Sequence, residues 1–262
     1  MERSPRSLTA IAQISDPHVG LHADYADSIR CLERAVTEVG EMDPAPVAVL
    51  LTGDLTFDGN PAEYECVREL LEPLEMPVHP IPGNHDRREN LRDAFSDHPA
   101  VAQAGEFLDY AVDCGPVTVL NLDTLVQGEA GGAIGADRIG WIERELAAAK
   151  GPSILAMHHA PVGVGLSEFD EIGLAPADRD ALRELFERGP APELIVTGHI
   201  HRAGTAQIGR VPVFICPSVH RQVELDLRRE GQLRMGNDPS AIALHLHGAD
   251  PRLVSHVIPL KR

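Results

Sequence analysis

Residues 47–54 read Val-Ala-Val-Leu-Leu-Thr-Gly-Asp. An unbroken apolar run of this length predicts a strand buried on both faces, here over Val47–Leu51, and Thr52-Gly53-Asp54 ends it on a turn that carries a carboxylate. The same figure recurs along the chain. Leu8–Ile14 (LTAIAQI) ends at Ser15-Asp16-Pro17-His18, and Met76–Ile81 leads into Gly83-Asn84-His85-Asp86. Ser153–Met157 delivers His158 and His159, and Leu194–Thr197 delivers Gly198-His199-Ile200-His201. Between these runs lie stretches with helical spacing. In Asp24–Gly40, Ile29, Leu32, Val36 and Val39 share one side; Pro61–Leu74, Asp137–Lys150 and Ala177–Arg188 follow the same rule. This alternation predicts an α/β architecture. Val117–Leu122 is a further predicted strand, ending at Asp123. After Thr197 the pattern changes. Val211–Cys216, Ala241–His247 and Leu253–Ile258 read as strands with no helix between them, so the chain is expected to end in antiparallel β structure. Gly128–Gly135 reads as a flexible loop and Glu230–Ser240 as polar turns. No linker divides the chain, and one domain over residues 1–262 is expected.

With 262 residues, 43% of them hydrophobic, the chain can bury a large core. A formal net charge of −17 disfavours non-specific attraction to nucleic acid or to an anionic membrane. It leaves room for a small anionic substrate, because bound cations reverse the sign of the field locally. Cys31, Cys66, Cys114 and Cys216 form no C-x-x-C pair and read as small buried hydrophobes in a reducing compartment. No stretch is apolar enough to span a membrane. A cleaved leader would delete or strand Asp16 and His18, so a cytoplasmic protein is expected.

The strand-end residues share one chemistry. Asp16 and His18, spaced i and i+2, would face the same side of an extended segment, as would His199 and His201. Asp54 can bridge two cations with its two oxygens, Asn84 offers a neutral carbonyl oxygen, and imidazoles at these positions suit zinc, iron or manganese. Each motif alone is an ordinary turn or a solvated histidine. Together, each after an apolar run, they predict metal-assisted hydrolysis of a phosphate ester.

The series D-x-H, G-D, G-N-H-D, H and G-H-x-H, from Asp16 to His201, resembles the calcineurin-like metallophosphoesterases. Within that superfamily it is most similar to class III cyclic-nucleotide phosphodiesterases and related glycerophosphodiesterases, through Ile14-Ser15-Asp16-Pro17-His18, Leu51–Thr56, the Pro61-Ala62-Glu63-Tyr64 helix start, Ile81–Asp86 and Met157–Pro161. Pro17 stands where relatives more often carry Thr or Ser, and Ala160 where they often carry Pro; neither side chain is a ligand. The resemblance implies a four-layer α/β/β/α sandwich, two mixed β-sheets flanked by helices, with the strands after Gly204 completing the second sheet. It implies that Asp16, His18 and His201 hold one metal ion, that Asn84, His158 and His199 hold a second, and that Asp54 bridges them. His158 is preferred to His159 because Met157-His158 matches the family's Met-His. The two divalent or trivalent ions would be iron and manganese, with zinc or cobalt as alternatives. Asn84, His85 and His220 would contact substrate, His85 from outside the metal shell as the group that stabilises charge or protonates the leaving oxygen. The implied reaction is hydrolysis of a small soluble phosphodiester by water activated at the metal pair. A cyclic nucleotide, 3',5'-cAMP or 2',3'-cAMP, is the first expectation; a glycerophosphodiesterase or phosphomonoesterase is the alternative, and a non-catalytic interaction scaffold a distant one. Part of the β-rich region 205–262, or the 128–135 loop, would form a cap or a contact in a homodimer or higher oligomer.

Other charged residues are expected to do less. Asp86 is read as orienting a neighbour rather than binding metal, Arg87 and Arg88 as a solvated pair able to attract an anion, and His22 as having no role. His245, His247 and His256 read as exposed strand or interface positions.

Overall fold

The computed structural model describes residues 8–228, 233–248 and 252–261. Residues 230–232, the start of the polar stretch predicted over 230–240, lie outside the described residues. The elements run β1 (Thr9–Ile14), α1 (Ala26–Gly40), β2 (Ala48–Thr52), α2 (Pro61–Leu71), β3 (Val78–Ile81), α3 (Arg88–Ala94), α4 (Pro99–Gln103), β4 (Tyr110–Cys114) and β5 (Val117–Leu122). Then come α5 (Ala136–Ala148), β6 (Ser153–Met157), α6 (Ser167–Glu171), α7 (Pro176–Arg188), β7 (Leu194–Thr197), β8 (Gly204–Ile208), β9 (Val211–Ile215), β10 (Ala241–His247) and β11 (Val254–Pro259).

Two mixed sheets form, in the orders β11-β10-β1-β2-β3 and β4-β5-β6-β7-β9-β8. In the first, β1, β2 and β3 are parallel, while β10 and β11 add antiparallel beyond β1. In the second, β5, β6, β7 and β9 are parallel and β4 and β8 are antiparallel edges. The expectation that every strand after Gly204 completes the second sheet is therefore half right. β8 and β9 do so, but Thr9–Gln13 pairs with Ala243–His247, which places β10 and β11 in the first sheet.

The layers follow from period-two alternation along double-buried strands. In β2, Val49 and Leu51 pack with Leu32 and Val36 of α1 and with Tyr64 and Val67 of α2. Ala48 and Leu50, on the other face, join Ile11, Val119, Ile154 and Val196 in a core between the sheets. The outer face of the second sheet, through Leu120, Leu155 and Ile195, meets Ile142 of α5 and Leu182 and Phe186 of α7. The result is the expected α/β/β/α sandwich.

The start of α2 is fixed locally. Pro61 occupies the first turn, and the buried Glu63 carboxylate accepts from the backbone N–H of Asn60 (3.2 Å) and of Asp58 (3.0 Å). These bonds tie the helix to the loop that follows Asp54. Glu63→Ala should lower unfolding free energy by about 1–2 kcal/mol, read as a thermal midpoint lower by about 2–8 °C.

Candidate metal centre and active site

The site lies at the carboxyl ends of the parallel strands of both sheets, where ligands of open α/β sheets are commonly bound. Its loops hydrogen-bond to one another within each sheet and, at Val219–Ser15 and His199–Asp16, across the sandwich. Asp16 N donates to Gly53 O (3.1 Å), His18 N to Asp54 O (2.9 Å), Val219 N to Ser15 O (3.0 Å) and Gly198 N to His158 O (3.1 Å). His199 N donates to both oxygens of Asp16, at 3.0 and 3.2 Å. This lattice holds five non-glycine residues at positive φ: Asp16 (52°), His18 (46°), Asp54 (50°), His199 (71°) and His201 (51°). Backbone strain of this kind costs about 1 kcal/mol or more per residue and collects at functional sites. It also corrects the extended i, i+2 geometry expected for the D-x-H and H-x-H motifs. The left-handed residues turn the side chains, and His199 and His201 join different clusters.

Asp16, His18, Asp54 and His201 form one buried cluster. His18 Nε2 and His201 Nε2 face each other at 2.8 Å, with Asp54 Oδ2 3.4 Å from the former and Asp16 Oδ1 3.5 Å from the latter. The second cluster holds His158, His159 and His199. Asn84 joins it, its Oδ1 lying 3.2 Å from His158 Nε2. Asp54 links the two clusters, since its Oδ2 is also 3.4 Å from His158 Nε2.

Backbone carbonyls fix most of these rings. The Nδ1–H of His158 donates to Thr52 O (2.9 Å), that of His201 to Arg221 O (2.9 Å) and that of His85 to Phe57 O (2.9 Å). His199 uses Nε2–H, to Ile172 O (3.1 Å). Each ring thereby keeps its other nitrogen for the site, the arrangement commonly found around metal-binding imidazoles. His159 differs. Its Nε2 donates to Ala130 O (3.1 Å) and its Nδ1 accepts from Thr124 Oγ1 (2.8 Å), so both nitrogens are engaged. His158 instead turns Nε2 toward Asn84 Oδ1 and Asp54 Oδ2.

Electrostatics follow burial and the two carboxylates. Desolvation pushes His18 and His199 well below the ordinary imidazole range and His159 down to about 3. Desolvation works against a proton on His158 too, but Asp54, then Asp16 and the Thr52 carbonyl, outweigh it and raise His158 to about 9. Burial raises Asp16. Burial would also raise Asp54, yet His158 and His18 pull it well below the carboxylate range. Two carboxylates, an amide oxygen and convergent imidazole lone pairs form a donor set whose common partner is a cation, so the residues fit a pair of metal ions.

His85 is half-buried and lines a cavity of about 300 Å³ together with His220, Asn84, His18, Asp54, His199 and His201. His220 Nε2 lies 3.2 Å from Asp27 Oδ1. Asp86 orients its neighbours, accepting from Leu55 N (3.1 Å), Gly83 N (2.8 Å) and Tyr64 Oη (2.9 Å); burial and nearby Asp54 raise its pKa to about 6. Arg88 is not solvated: it pairs with the buried Asp123 at 2.5 Å. His22 pairs with Asp58 at 2.7 Å. Sequence reading missed the cavity's apolar walls. Tyr25 and Phe57 stack at 3.8 Å on one side, and Phe169, Leu233 and Met235 line another. No motif marks such residues. The 128–135 loop contributes no lining residue, whereas the segment around the Val223–Met235 bridge does.

A family model for the calcineurin-like phosphoesterases matches residues 9–203, and the chain belongs to that family. It is 28% identical over 251 residues to a probable glycerophosphodiester phosphodiesterase, GpdQ, of Arcobacter nitrofigilis, a match covering 94% of this chain and 91% of the relative. It is 30% identical over 213 residues to the 3',5'-cyclic adenosine monophosphate phosphodiesterase CpdA of Pseudomonas aeruginosa, covering 79% and 75%. Among solved structures, the purple acid phosphatase PPD1 of yellow lupin shares the fold, with a TM-score of 0.64 at 14% identity over 97% of this chain and 54% of that one.

The close approach of the strand ends depends on Gly198. A Cβ there would collide with Ser15 Oγ and lie 2.7 Å from Asp16 Oδ2 and 2.9 Å from Thr52 O. Gly198→Ala should therefore destabilise the protein by about 1–3 kcal/mol, measured by denaturant unfolding.

Proposed function

We propose that the chain is a dinuclear-metal phosphodiesterase acting on small soluble diesters, cyclic nucleotides first. The observation that carries the reading is Asp54, whose carboxylate faces imidazoles of both buried clusters. In this reading Asp16, His18 and His201 hold one ion, Asn84, His158 and His199 the other, and Asp54 both. Iron and manganese suit the mixed oxygen and nitrogen donors, as do zinc and cobalt. Such an ion pair supplies Lewis-acid stabilisation of phosphoryl charge and a water acidic enough to react near neutral pH.

The chain's own groups do the rest. His85, held by Phe57 O, turns Nε2 to the cavity, where it can deliver a proton to the departing alkoxide or take one back. Asn84 and His220 would bind the phosphoryl group or its ester substituent. The Tyr25–Phe57 stack and the wall of Phe169, Leu233 and Met235 offer apolar faces to a flat base and exclude water around the diester. These walls favour 3',5'-cAMP or 2',3'-cAMP. The similarity to a glycerophosphodiester phosphodiesterase over 94% of the chain favours the second reading, a glycerophosphodiester.

The working unit in this proposal is one domain over residues 1–262, supported by the pairing of C-terminal β10 with N-terminal β1. The lip of the cavity comes from Val223, Leu233 and Met235. A cytoplasmic site of action is proposed from the free cysteines, Cys31, Cys66, Cys114 and Cys216, and no helix among the described residues is long and apolar enough to cross a membrane.

Protein reconstituted with Mn²⁺ should hydrolyse bis(p-nitrophenyl) phosphate and, in a panel with glycerophosphocholine and p-nitrophenyl phosphate, prefer a cyclic nucleotide. No metal-dependent turnover would favour a scaffold role instead. Asp54→Ala should abolish activity and lower metal content at both sites. His85→Ala should keep both ions and lose turnover by about 10²-fold or more, as steady-state rates and elemental analysis would show.

A further inference from the structure

A line of hydrogen bonds runs between the two sheets from the β10–β11 pair to Asp16. Ser255 Oγ lies 2.8 Å from His245 Nδ1, and His245 Nε2 lies 3.0 Å from Gln13 Oε1. Gln13 Nε2 reaches Thr52 Oγ1 at 2.9 Å and Thr197 O at 3.1 Å. Thr52 Oγ1 donates to Ser15 Oγ (2.8 Å), and Ser15 Oγ donates to Asp16 Oδ2 (2.6 Å). His245, Gln13, Thr52, Ser15 and Asp16 are all fully buried.

The direction of the line is fixed by chemistry. Thr197 O can only accept, so the amide nitrogen of Gln13 faces it and Oε1 faces His245. His245 must then donate from Nε2 and accept at Nδ1 from Ser255. Burial lowers the His245 pKa to about 3, so the ring is neutral and carries a single proton. The other amide hydrogen of Gln13 goes to Thr52, whose hydrogen goes to Ser15, whose hydrogen goes to Asp16. From His245 to Ser15 each link of the line is donated toward the carboxylate, with one further amide hydrogen of Gln13 going to Thr197 O, and bonds aligned head to tail polarise one another. The last bond falls on Oδ2, while Oδ1 accepts from His199 N at 3.0 Å and lies 3.5 Å from His201 Nε2.

We propose that this line is a positioning device for Asp16, in which His245, a residue outside the cavity, sets the orientation and donor strength of a carboxylate in the Asp16–His18–His201 cluster. The inference rests on the dinuclear reading above. It assigns His245 and Gln13 a part in cation affinity with no contact to the cation or to substrate.

Mn²⁺ titration of the full chain, by calorimetry with electron paramagnetic resonance to separate single from coupled ions, tests it. The native protein should take up two ions. His245→Leu removes the donor and should weaken one site by about 10-fold, the low end of the usual effect of a group behind a metal ligand, while the other keeps its affinity. His245→Gln, which can accept from Ser255 and donate to Gln13, should restore it. Should the leucine variant fail to fold, Thr52→Val, which exchanges only a hydroxyl for a methyl, decides in its place with the same asymmetric loss expected. Unchanged affinities in a folded variant, or an equal loss at both sites, would overturn the positioning role alone. Native protein that takes up no Mn²⁺ would overturn the dinuclear reading, and the positioning role with it.

Discussion

The structure turns on one buried carboxylate. Asp54 sits at positive φ after Gly53, buried at the floor of the cavity, with imidazoles from both clusters beside it. Burying a charge there is costly unless it is paired. His158 and His18 pull its pKa well down against that penalty, and the backbone N–H of His85 holds its second oxygen at 2.9 Å. The rest of the sandwich keeps those partners in place. Strands β1 and β2 come from one sheet and β6 and β7 from the other, and their loops hydrogen-bond to each other.

That dependence explains the glycines. Gly53 lies against the His158 ring, whose Cγ would be 2.7 Å from an added Cβ, and it needs its positive φ of 87°. Two sheets can bring donor atoms within reach of one point only if the backbone approaches closely at the ends of the strands. The strain in five left-handed residues is held by the same interlocked bonds, so geometry and stability are coupled in this region.

Much of this was legible in the sequence, and the failures have physical causes. Double-buried strands announce themselves as apolar runs, which is why β1, β2, β5, β6 and β7 and the polar residues at their ends could be read directly. Edge strands bury one face and carry mixed residues. Tyr110–Cys114 and Gly204–Ile208 gave no such run and went unread. Sheet membership of β10 is a long-range pairing with β1 that local pattern cannot encode, and His245, expected at an exposed position, is fully buried for the same reason. Ring tautomers are set by the carbonyls of Thr52, Phe57, Ile172 and Arg221, and a carbonyl has no sequence signature. The apolar cavity walls look like any other hydrophobic residues until the fold collects them.

A crystal of Mn²⁺-loaded protein, measured at the manganese absorption edge, tests the central claim most directly. Two anomalous peaks are expected, one among Asp16, His18 and His201 and one among Asn84, His158 and His199, with the Asp54 carboxylate between them. A single peak, peaks elsewhere, or an Asp54 side chain turned away from both would contradict it.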